Sequence, residues 1–268
     1  MRAISSRHHP IVQAYRQAVR GPRGGMLLID GDHLVGEAEA AGLAIRHLAV
    51  SAARLETTSD PAAAIARRLE RAGTEVMAVS ASVMEALSPV RTPSGMVALA
   101  DRPASELRQV LSARPALIVV AVDVQDPGNV GALVRASEAA GASGLVASGQ
   151  SADPFGWKAL RGSMGSAFRL PLATNPDPSG LLDDLHGQGI RTAAMLPTGG
   201  VSLYDAPLEG PLAIVLGSEG GGLPSALAAG ADVAITIPMR APVESLNVTV
   251  AGALILFEAA RRRRTRAS

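Results

Sequence analysis

The sequence predicts an α/β protein of two domains, each built around a helix-covered and mainly parallel sheet. Short apolar segments of strand length alternate with longer helical segments along the 268-residue chain. In the second half the strand segments are continuous runs of Val, Ile and Leu, as at 116–122, which a parallel strand buried on both faces requires. The stretch 100–114 interrupts this pattern with a proline and several charges, and it marks the domain boundary.

The first half predicts a small α/β domain over residues 1–107. A basic helix near 9–20 opens it, and strands and helices then alternate with short turns. The strands are expected at 25–29, 45–50, 75–79 and 95–99, and the further helices at 31–41, 61–72 and 82–87. No catalytic spacing occurs in this half, and its histidines lack the spacing of metal ligands.

A linker is expected at 108–114 and a second, parallel-sheet domain at 115–268. Its strands are expected at 116–122, 144–147, 191–196, 212–216 and 233–237. Its helices are expected at 129–140, 157–162 and 180–186, with a long last helix that follows Ser245.

Composition excludes several classes of protein. The chain has no cysteine, which removes disulfides, thiolate catalysis and cysteine-ligated metals. The formal net charge is +1, so no global field indicates nucleic acid. The amino terminus lacks an apolar signal core, and no apolar run reaches the roughly 20 residues that span a membrane. We therefore expect a soluble, cytoplasmic protein without a metal ion.

The basic residues are concentrated at the two ends of the chain. Residues 1–29 contain no acid and five arginines, of which four are our candidates for binding phosphates: Arg7, Arg16, Arg20 and Arg23. The other end carries the arginines 261–264 and 266, for which a solvated, frayed tail is an equal alternative.

Three junctions that follow strands of the second half carry the polar residues of interest. The first is Asp126-Pro-Gly-Asn129, with Arg135 six residues, or nearly two helical turns, beyond Asn129. Here Asn129 is expected to cap a helix whose amino end attracts an anion, and an arginine is suited to grip a phosphate. An ordinary capped amphipathic helix is the alternative.

The second junction is Leu216-Gly-Ser-Glu219-Gly-Gly-Gly222-Leu. Its glycines permit backbone geometry that other residues lack and let the main chain approach a ligand closely. The pattern matches neither dinucleotide nor P-loop fingerprints, and a merely flexible turn is the alternative.

The third junction is Ile237-Pro-Met, followed by Ser245-Leu246-Asn247 at the start of the last helix. Ser245 is expected to cap that helix. Because parallel strands end at one edge of their sheet, the three junctions predict a single site there. Its polar groups are Asn, Arg, Glu and Ser, without His, Lys or Cys. That inventory argues against acid–base hydrolysis and suits a preactivated donor with a phosphate-bearing acceptor.

In this order the three junctions resemble the SpoU/TrmH class of SPOUT methyltransferases, which methylate ribose 2′-hydroxyls of RNA. The resemblance covers roughly residues 115–260. Less specifically, residues 1–107 are similar to the small RNA substrate-binding domain, related to ribosomal proteins, that precedes this catalytic domain in the family. One departure is Ala241, where the family commonly has glycine.

The resemblance implies a deep trefoil knot in the second domain, S-adenosylmethionine as the donor and a homodimer with its site near the subunit interface. Gly217, Ile237 and Leu246 match positions whose backbone contacts the cofactor. The expected catalytic residues are Asn129, Arg135, Glu219, Ser245 and Asn247.

In the implied reaction Arg135 clamps the adjacent phosphate and stabilises alkoxide charge, because a guanidinium hardly deprotonates in proteins. The other four residues orient the reacting groups, with Glu219 holding Arg135 or the acceptor. Ribosomal RNA is the expected substrate. A transfer-RNA enzyme, an RNA-binding protein that keeps the fold without catalysis and a doubly wound nucleotide enzyme are the alternatives.

Overall fold

The computed structural model describes residues 1–21, 25–57 and 59–267, without the side chains of 265–267. The chain divides into two compact units. Unit 1 comprises Met1–Ala104 and Phe155–Phe168, and unit 2 comprises Ser105–Pro154 and Arg169–Ser268.

Strands and helices alternate through the first hundred residues, as expected. In chain order the elements are β1 (Arg2–Ile4), α1 (Pro10–Val19), β2 (Met26–Asp30), α2 (Asp32–Ala40), β3 (Ile45–Ser51), α3 (Ala52–Glu56), α4 (Pro61–Arg71), β4 (Glu75–Val79), α5 (Ala81–Leu87) and β5 (Met96–Asp101). The short elements β1 and α3 are additions to the sequence-based expectation.

The alternation continues to the end of the chain. The elements are α6 (Leu107–Ser112), β6 (Leu117–Val122), α7 (Pro127–Ala139), β7 (Gly144–Ser148), α8 (Trp157–Ser163), a short 3-10 helix (Ser166–Phe168), β8 (Leu172–Asn175), α9 (Pro178–Gly187), β9 (Arg191–Met195), β10 (Val201–Ser202), β11 (Leu212–Leu216), α10 (Ser225–Gly230), β12 (Val233–Thr236) and α11 (Val248–Ala267).

The sheet of unit 1 has five strands in the order β1-β4-β3-β5-β2. The pairs β1–β4 and β3–β4 are parallel, but β5 is antiparallel to both β3 and β2. The prediction of a mainly parallel sheet in this half is therefore wrong. Met96, at the start of β5, lies opposite Val50 near the end of β3. The chain thus returns to the edge that β3 has just left, so β5 must run back along the sheet.

The core of unit 1 receives a segment from the middle of the chain. Tyr15, Met77 and Leu99 are fully buried in this core. Trp157, at the start of α8, packs against the same cluster. Residues 155–168, which fall within the range expected for the second domain, thus complete the core of the first unit.

The sheet of unit 2 has seven strands in the order β10-β12-β9-β11-β6-β7-β8. Each neighbouring pair is parallel, with Ile214 of the central strand β11 opposite Val119 on one side and Ala193 on the other. This confirms the parallel α/β class predicted from the apolar runs. The trefoil knot stays a prediction.

The core of unit 2 also includes the stretch expected as a linker. Residues 108–114 contain most of α6, in which Val110 is fully buried and Leu111 nearly so. Both belong to the cluster formed with Ile118 and Val215 of the sheet. Gly144 permits this packing, since a Cβ there would lie 2.8 Å from Val110 Cγ1.

The last helix packs closely on α7 of unit 2. Gly252 of α11 faces α7, and a Cβ at this position would lie 2.6 Å from Leu133 Cδ2 and 2.9 Å from Leu216 Cδ1. The absence of a side chain lets α11 approach both α7 and β11. Its amino end is thereby placed beside the amino end of α7.

The arginines at the end of α11 bind backbone carbonyl groups of unit 2. Arg262 donates to the carbonyl groups of Leu203, Tyr204 and Ala206, and it pairs with Glu258 one turn earlier. Arg263 donates to the carbonyl groups of Ala116 and Gly210. Burial lowers the pKa of Arg263 from its ordinary value. These two residues are therefore part of the folded unit.

We predict that Arg263→Ala destabilises unit 2, because it removes a charged donor from two carbonyl groups. The loss in free energy of unfolding should be about 1–3 kcal/mol. Arg261→Ala is the matched control, since the Arg261 side chain is 66% exposed and its removal should change stability by less than about 0.5 kcal/mol. Denaturant unfolding measures both. Equal stability of the two variants would contradict a structural role for Arg263.

Candidate active site

Three loops meet at the carboxyl edge of the parallel sheet of unit 2. They follow β6, β11 and β12, and they contain residues 123–126, 217–224 and 237–247. Because these strands run in the same direction, their carboxyl ends lie on one side of the sheet. The loops after β6 and β12 lead directly into α7 and α11.

The amino end of α7 is capped by Asp126. Its Oδ1 accepts a hydrogen bond of 2.9 Å from the backbone N–H of Asn129, and Pro127 occupies the first helical position. The prediction that Asn129 caps this helix is wrong, since Asn129 already lies inside the first turn. Its side chain is consequently available for other contacts.

The amino end of α11 is capped by Asn247. Its Oδ1 accepts hydrogen bonds from the backbone N–H groups of Thr249 at 2.9 Å and Val250 at 3.3 Å. The prediction that Ser245 caps this helix is therefore wrong, because the helix begins only at Val248. Since Oδ1 faces the backbone, Nδ2 of Asn247 is directed away from it and toward an acceptor.

That acceptor is Glu219 of the glycine-rich loop. Its Oε1 accepts a hydrogen bond of 2.6 Å from Nδ2 of Asn247 and one of 2.7 Å from Nδ2 of Asn129. Nδ2 of Asn247 also lies 3.2 Å from Oδ1 of Asn129. One carboxylate oxygen thus joins the three loops. We call these three side chains the Asn–Glu–Asn cluster.

Thr249 extends the Asn–Glu–Asn cluster by one hydroxyl. Its Oγ1 lies 3.3 Å from both Oδ1 and the carbonyl oxygen of Asn129. Sequence reasoning missed this residue. Its position in the first turn of the last helix, two residues after Asn247, is the signal that could have identified it.

The glycine-rich loop is a tight turn. Ser218 and Gly222 exchange backbone hydrogen bonds of 3.2 and 2.9 Å, and Gly222 has a φ of +64°. A Cβ on Gly217 would lie 2.2 Å from the carbonyl carbon of Gly222. Position 217 therefore admits only glycine in this conformation, as expected for a loop that offers its main chain to a ligand.

A cavity of about 520 Å³ lies against this loop. Its lining includes the predicted cofactor positions Gly217, Ile237 and Leu246, together with Ser245 and Glu219. Much of the remaining lining comes from the second and third junctions. Sequence reasoning did not select Met195, Leu196 and Glu244, which come from the end of β9 and the loop before α11. Ala241 is exposed and is not part of the lining.

A second cavity of about 310 Å³ lies beside the first. It is lined by residues 123–126 of the loop after β6 and by residues 218–221. Glu219 lines both cavities. The Asn–Glu–Asn cluster is thus in a position to touch a ligand in either of them.

Arg135 lies away from this cluster. It is exposed on α7, six residues beyond Asn129, which corresponds to about 9 Å along the helix axis and about 120° around it. Among the described residues, no hydrogen bond joins Arg135 to Glu219 or to either asparagine. Four of the five expected catalytic residues therefore lie at the sheet edge, and the fifth does not.

The arginines expected to bind RNA differ in their surroundings. Arg7 pairs with Glu85 at 2.6 Å and donates to the carbonyl group of Ser82. Arg16 and Arg20 are exposed, one turn apart at the end of α1. Arg23 lies outside the described residues.

Within the described part of the chain, neither a group of metal-ligating side chains nor a membrane-spanning helix is present. No three or more His, Asp or Glu side chains there are grouped so that they could hold a metal ion. No helix there is both long and apolar enough to cross a membrane.

Known proteins provide an independent comparison. Residues 116–257 match the model of the SpoU rRNA Methylase family, and residues 20–98 match the MRM3-like substrate binding domain. The chain is 30% identical over 231 residues to the 23S rRNA (guanosine(2553)-2′-O)-methyltransferase RlmP of Bacillus subtilis, and the match covers 86% of each protein. It is 32% identical over 189 residues to a 23S rRNA (uridine(2479)-2′-O)-methyltransferase of Streptomyces viridochromogenes, covering 68% of this chain and 65% of that protein.

Solved structures agree over nearly the whole chain. The SpoU methyltransferase AviRb of Streptomyces viridochromogenes, in complex with AdoMet, superposes with a TM-score of 0.85 at 28% identity, covering 96% of this chain and 99% of that one. An AdoMet-bound rRNA methyltransferase of Sinorhizobium meliloti gives a TM-score of 0.84 at 27% identity, covering 97% and 98%. With the family model matching more than half of its length, the chain belongs to the SpoU rRNA Methylase family.

Proposed function

We propose that this protein transfers a methyl group from S-adenosylmethionine to a ribose 2′-hydroxyl of ribosomal RNA. The observation that carries the proposal is the Asn–Glu–Asn cluster, which joins three loops beside a cavity of cofactor size. The relatives named for 23S rRNA 2′-O-methylation and the AdoMet-bound neighbours support the choice of acceptor and donor. The cytoplasm, where ribosomal RNA is found, is the proposed location.

The larger cavity suits this cofactor. Gly217, Ile237 and Leu246 would offer it backbone groups, and none of the described side chains in the lining is cationic. When bound, the cofactor would supply a methyl group carried on a positively charged sulfur, and the leaving group is a neutral thioether. The work left to the protein is to align the ribose hydroxyl with that methyl group and to remove its proton.

Glu219 would hold the ribose hydroxyl. Its Oε1 is occupied by the two asparagine amides, whereas its Oε2 receives no hydrogen bond from the described residues. Oε2 can therefore accept a hydrogen bond from the hydroxyl and take up its proton as the new C–O bond forms. Asn129 and Asn247 keep the carboxylate in that orientation, and Ser245 lies in the wall of the same cavity.

Arg135 would complete the site of a second copy of the chain. It is exposed on α7, about 9 Å along the helix axis from Asn129, and among the described residues it makes no hydrogen bond to the cluster of its own subunit. Three large apolar side chains of α11, spaced so that they share one face, are also about half exposed: Val250 (48%), Leu254 (45%) and Phe257 (50%). Such a face is typical of a protein interface, and its first member lies three residues beyond Asn247. We infer a homodimer that packs through this face and brings the partner's Arg135 to the acceptor phosphate.

Unit 1 is proposed to bind the RNA, in keeping with its similarity to a substrate binding domain. Arg16 and Arg20 would contact phosphates from α1. The proposed domains follow the two units. Residues 155–168 belong to the first, and the stretch 108–114, expected as a linker, belongs to the second.

The experiment that tests the function is methylation of ribosomal RNA followed by nucleoside mass spectrometry. Unmodified ribosomal RNA and S-adenosylmethionine are incubated with the protein, digested and analysed. A 2′-O-methylnucleoside is expected with the wild type and not with Glu219→Ala. If S-adenosylmethionine binds but neither ribosomal nor transfer RNA gains a methyl group, the protein is an RNA-binding member without catalysis.

We predict that Arg135→Ala nearly abolishes turnover while the Kd for S-adenosylmethionine stays within a few fold, because Arg135 does not line the cofactor cavity. Turnover at the wild-type rate would refute its catalytic role.

Mixing this variant with Glu219→Ala then tests where Arg135 acts. If it acts in the partner's site, each mixed dimer regains one intact site and activity returns to about a quarter of wild type. If it acts in its own subunit, every site stays defective and no activity returns.

We predict that replacing both Arg16 and Arg20 with glutamine weakens RNA binding and reduces its salt dependence. Each lost phosphate contact should lower the slope of log K against log salt by about 0.7–0.9. Arg46→Gln is the control, because Arg46 is an exposed arginine of unit 1 already held by Asp101. Filter binding over a range of salt concentrations measures the slopes. An unchanged slope in the double variant would show that α1 does not contact RNA phosphates.

A further inference from the structure

The charged side chains that line the larger cavity have a single sign. Two of the lining residues carry a charge, Glu219 and Glu244, and both are acids. The remaining lining consists of apolar side chains, serines and the backbone of the glycine-rich loop. The charged side chains of the wall therefore create a negative potential at a bound ligand, and no cationic side chain among the described lining residues offsets it.

The two carboxylates are held differently. Glu219 is fixed by the amides of Asn129 and Asn247, and it already has a part in the proposed reaction. Glu244 is exposed in the loop between β12 and α11, two residues before Leu246. No described residue forms a hydrogen bond or an ion pair with Glu244. Its charge is thus available to the ligand and is not needed for the fold.

Methyl transfer changes the charge of the bound cofactor by one. S-adenosylmethionine carries a sulfonium, an ammonium and a carboxylate, for a net charge of +1. During transfer the C–S bond breaks with its electron pair left on sulfur, a C–O bond forms and the hydroxyl proton is released. The product, S-adenosylhomocysteine, is neutral overall.

We propose that Glu244 is a specificity-determining residue that favours the cationic donor over the neutral product. This inference rests on the proposed function. Attraction between the Glu244 carboxylate and the sulfonium strengthens binding of the donor and vanishes once the methyl group has left. The same residue thereby assists release of the product, without contact to the RNA.

Binding calorimetry with three ligands tests this role. S-adenosylmethionine, S-adenosylhomocysteine and sinefungin, in which a charged amine replaces the methylated sulfonium, are titrated into the full-length protein. Glu244→Gln keeps the size of the side chain and removes its charge. Asp183→Asn is the control, since it removes one exposed carboxylate from α9 of unit 2, outside either cavity.

The expected result is a loss of affinity confined to the two cationic ligands. Glu244→Gln should raise the Kd for S-adenosylmethionine and sinefungin roughly three- to tenfold, as for charges partly screened by solvent, and change that for S-adenosylhomocysteine less than about twofold. Asp183→Asn should leave all three unchanged. An equal change for all three ligands, or no change, would overturn the role of Glu244. Failure of the wild type to bind S-adenosylmethionine would instead overturn the proposed function.

Discussion

The candidate active site depends on a single carboxylate oxygen. Oε1 of Glu219 accepts hydrogen bonds from Asn129 and Asn247, and through them it links the glycine-rich loop to the first turns of α7 and α11. The three residues are far apart in sequence, so this contact exists only when the whole sheet of unit 2 has formed. Two further interactions make it possible. Asp126 caps α7, so the Asn129 side chain is not needed as a cap and can contact Glu219. Oδ1 of Asn247 caps α11, which directs Nδ2 of the same side chain toward Glu219.

Close backbone packing has the same importance as this polar contact. Gly252 allows α11 to lie against α7 and β11, which places the two helix ends side by side. Gly217 allows the glycine-rich loop to fold back on itself, since any side chain there would collide with the main chain at Gly222. The cavity is consequently walled in large part by main chain and apolar side chains, and its few charges have a strong influence on what it binds.

The arginines of this chain serve unlike purposes, although they look equivalent in the sequence. Arg262 and Arg263 lie in a run of four arginines, yet they bind carbonyl groups of unit 2 and stabilise its fold. Arg54 of unit 1 is held by Asp32 and Asp60. Arg16, Arg20 and Arg135 are exposed, and only such residues remain for a nucleic-acid partner. Composition alone therefore overstates the basic surface that RNA can reach.

Much of the architecture followed from local patterns. Continuous apolar runs predicted the parallel strands of unit 2, because a strand that is buried on both faces of its sheet has apolar side chains along its whole length. The helix-forming segments between these runs predicted the crossovers. The shortest elements escaped prediction: β1 and β10 have three and two residues, too few for a pattern to show. The direction of β5 and the assignment of 155–168 to unit 1 depend on contacts with distant segments.

The candidate site was likewise predictable from the sequence only in part. The order of three strand-to-helix junctions was enough to identify the family and to select Asn129, Glu219, Ser245 and Asn247, because residues at the carboxyl ends of parallel strands must meet at one edge. Which side chain caps each helix was beyond the sequence, since a cap depends on where the first helical turn begins. The contacts of Thr249 with Asn129, the place of Glu244 in the cavity wall and the exposure of Arg135 depend on packing in three dimensions. The order of residues along the chain fixes which side chains follow each strand. The neighbours that each side chain meets depend on how the helices and loops pack against one another.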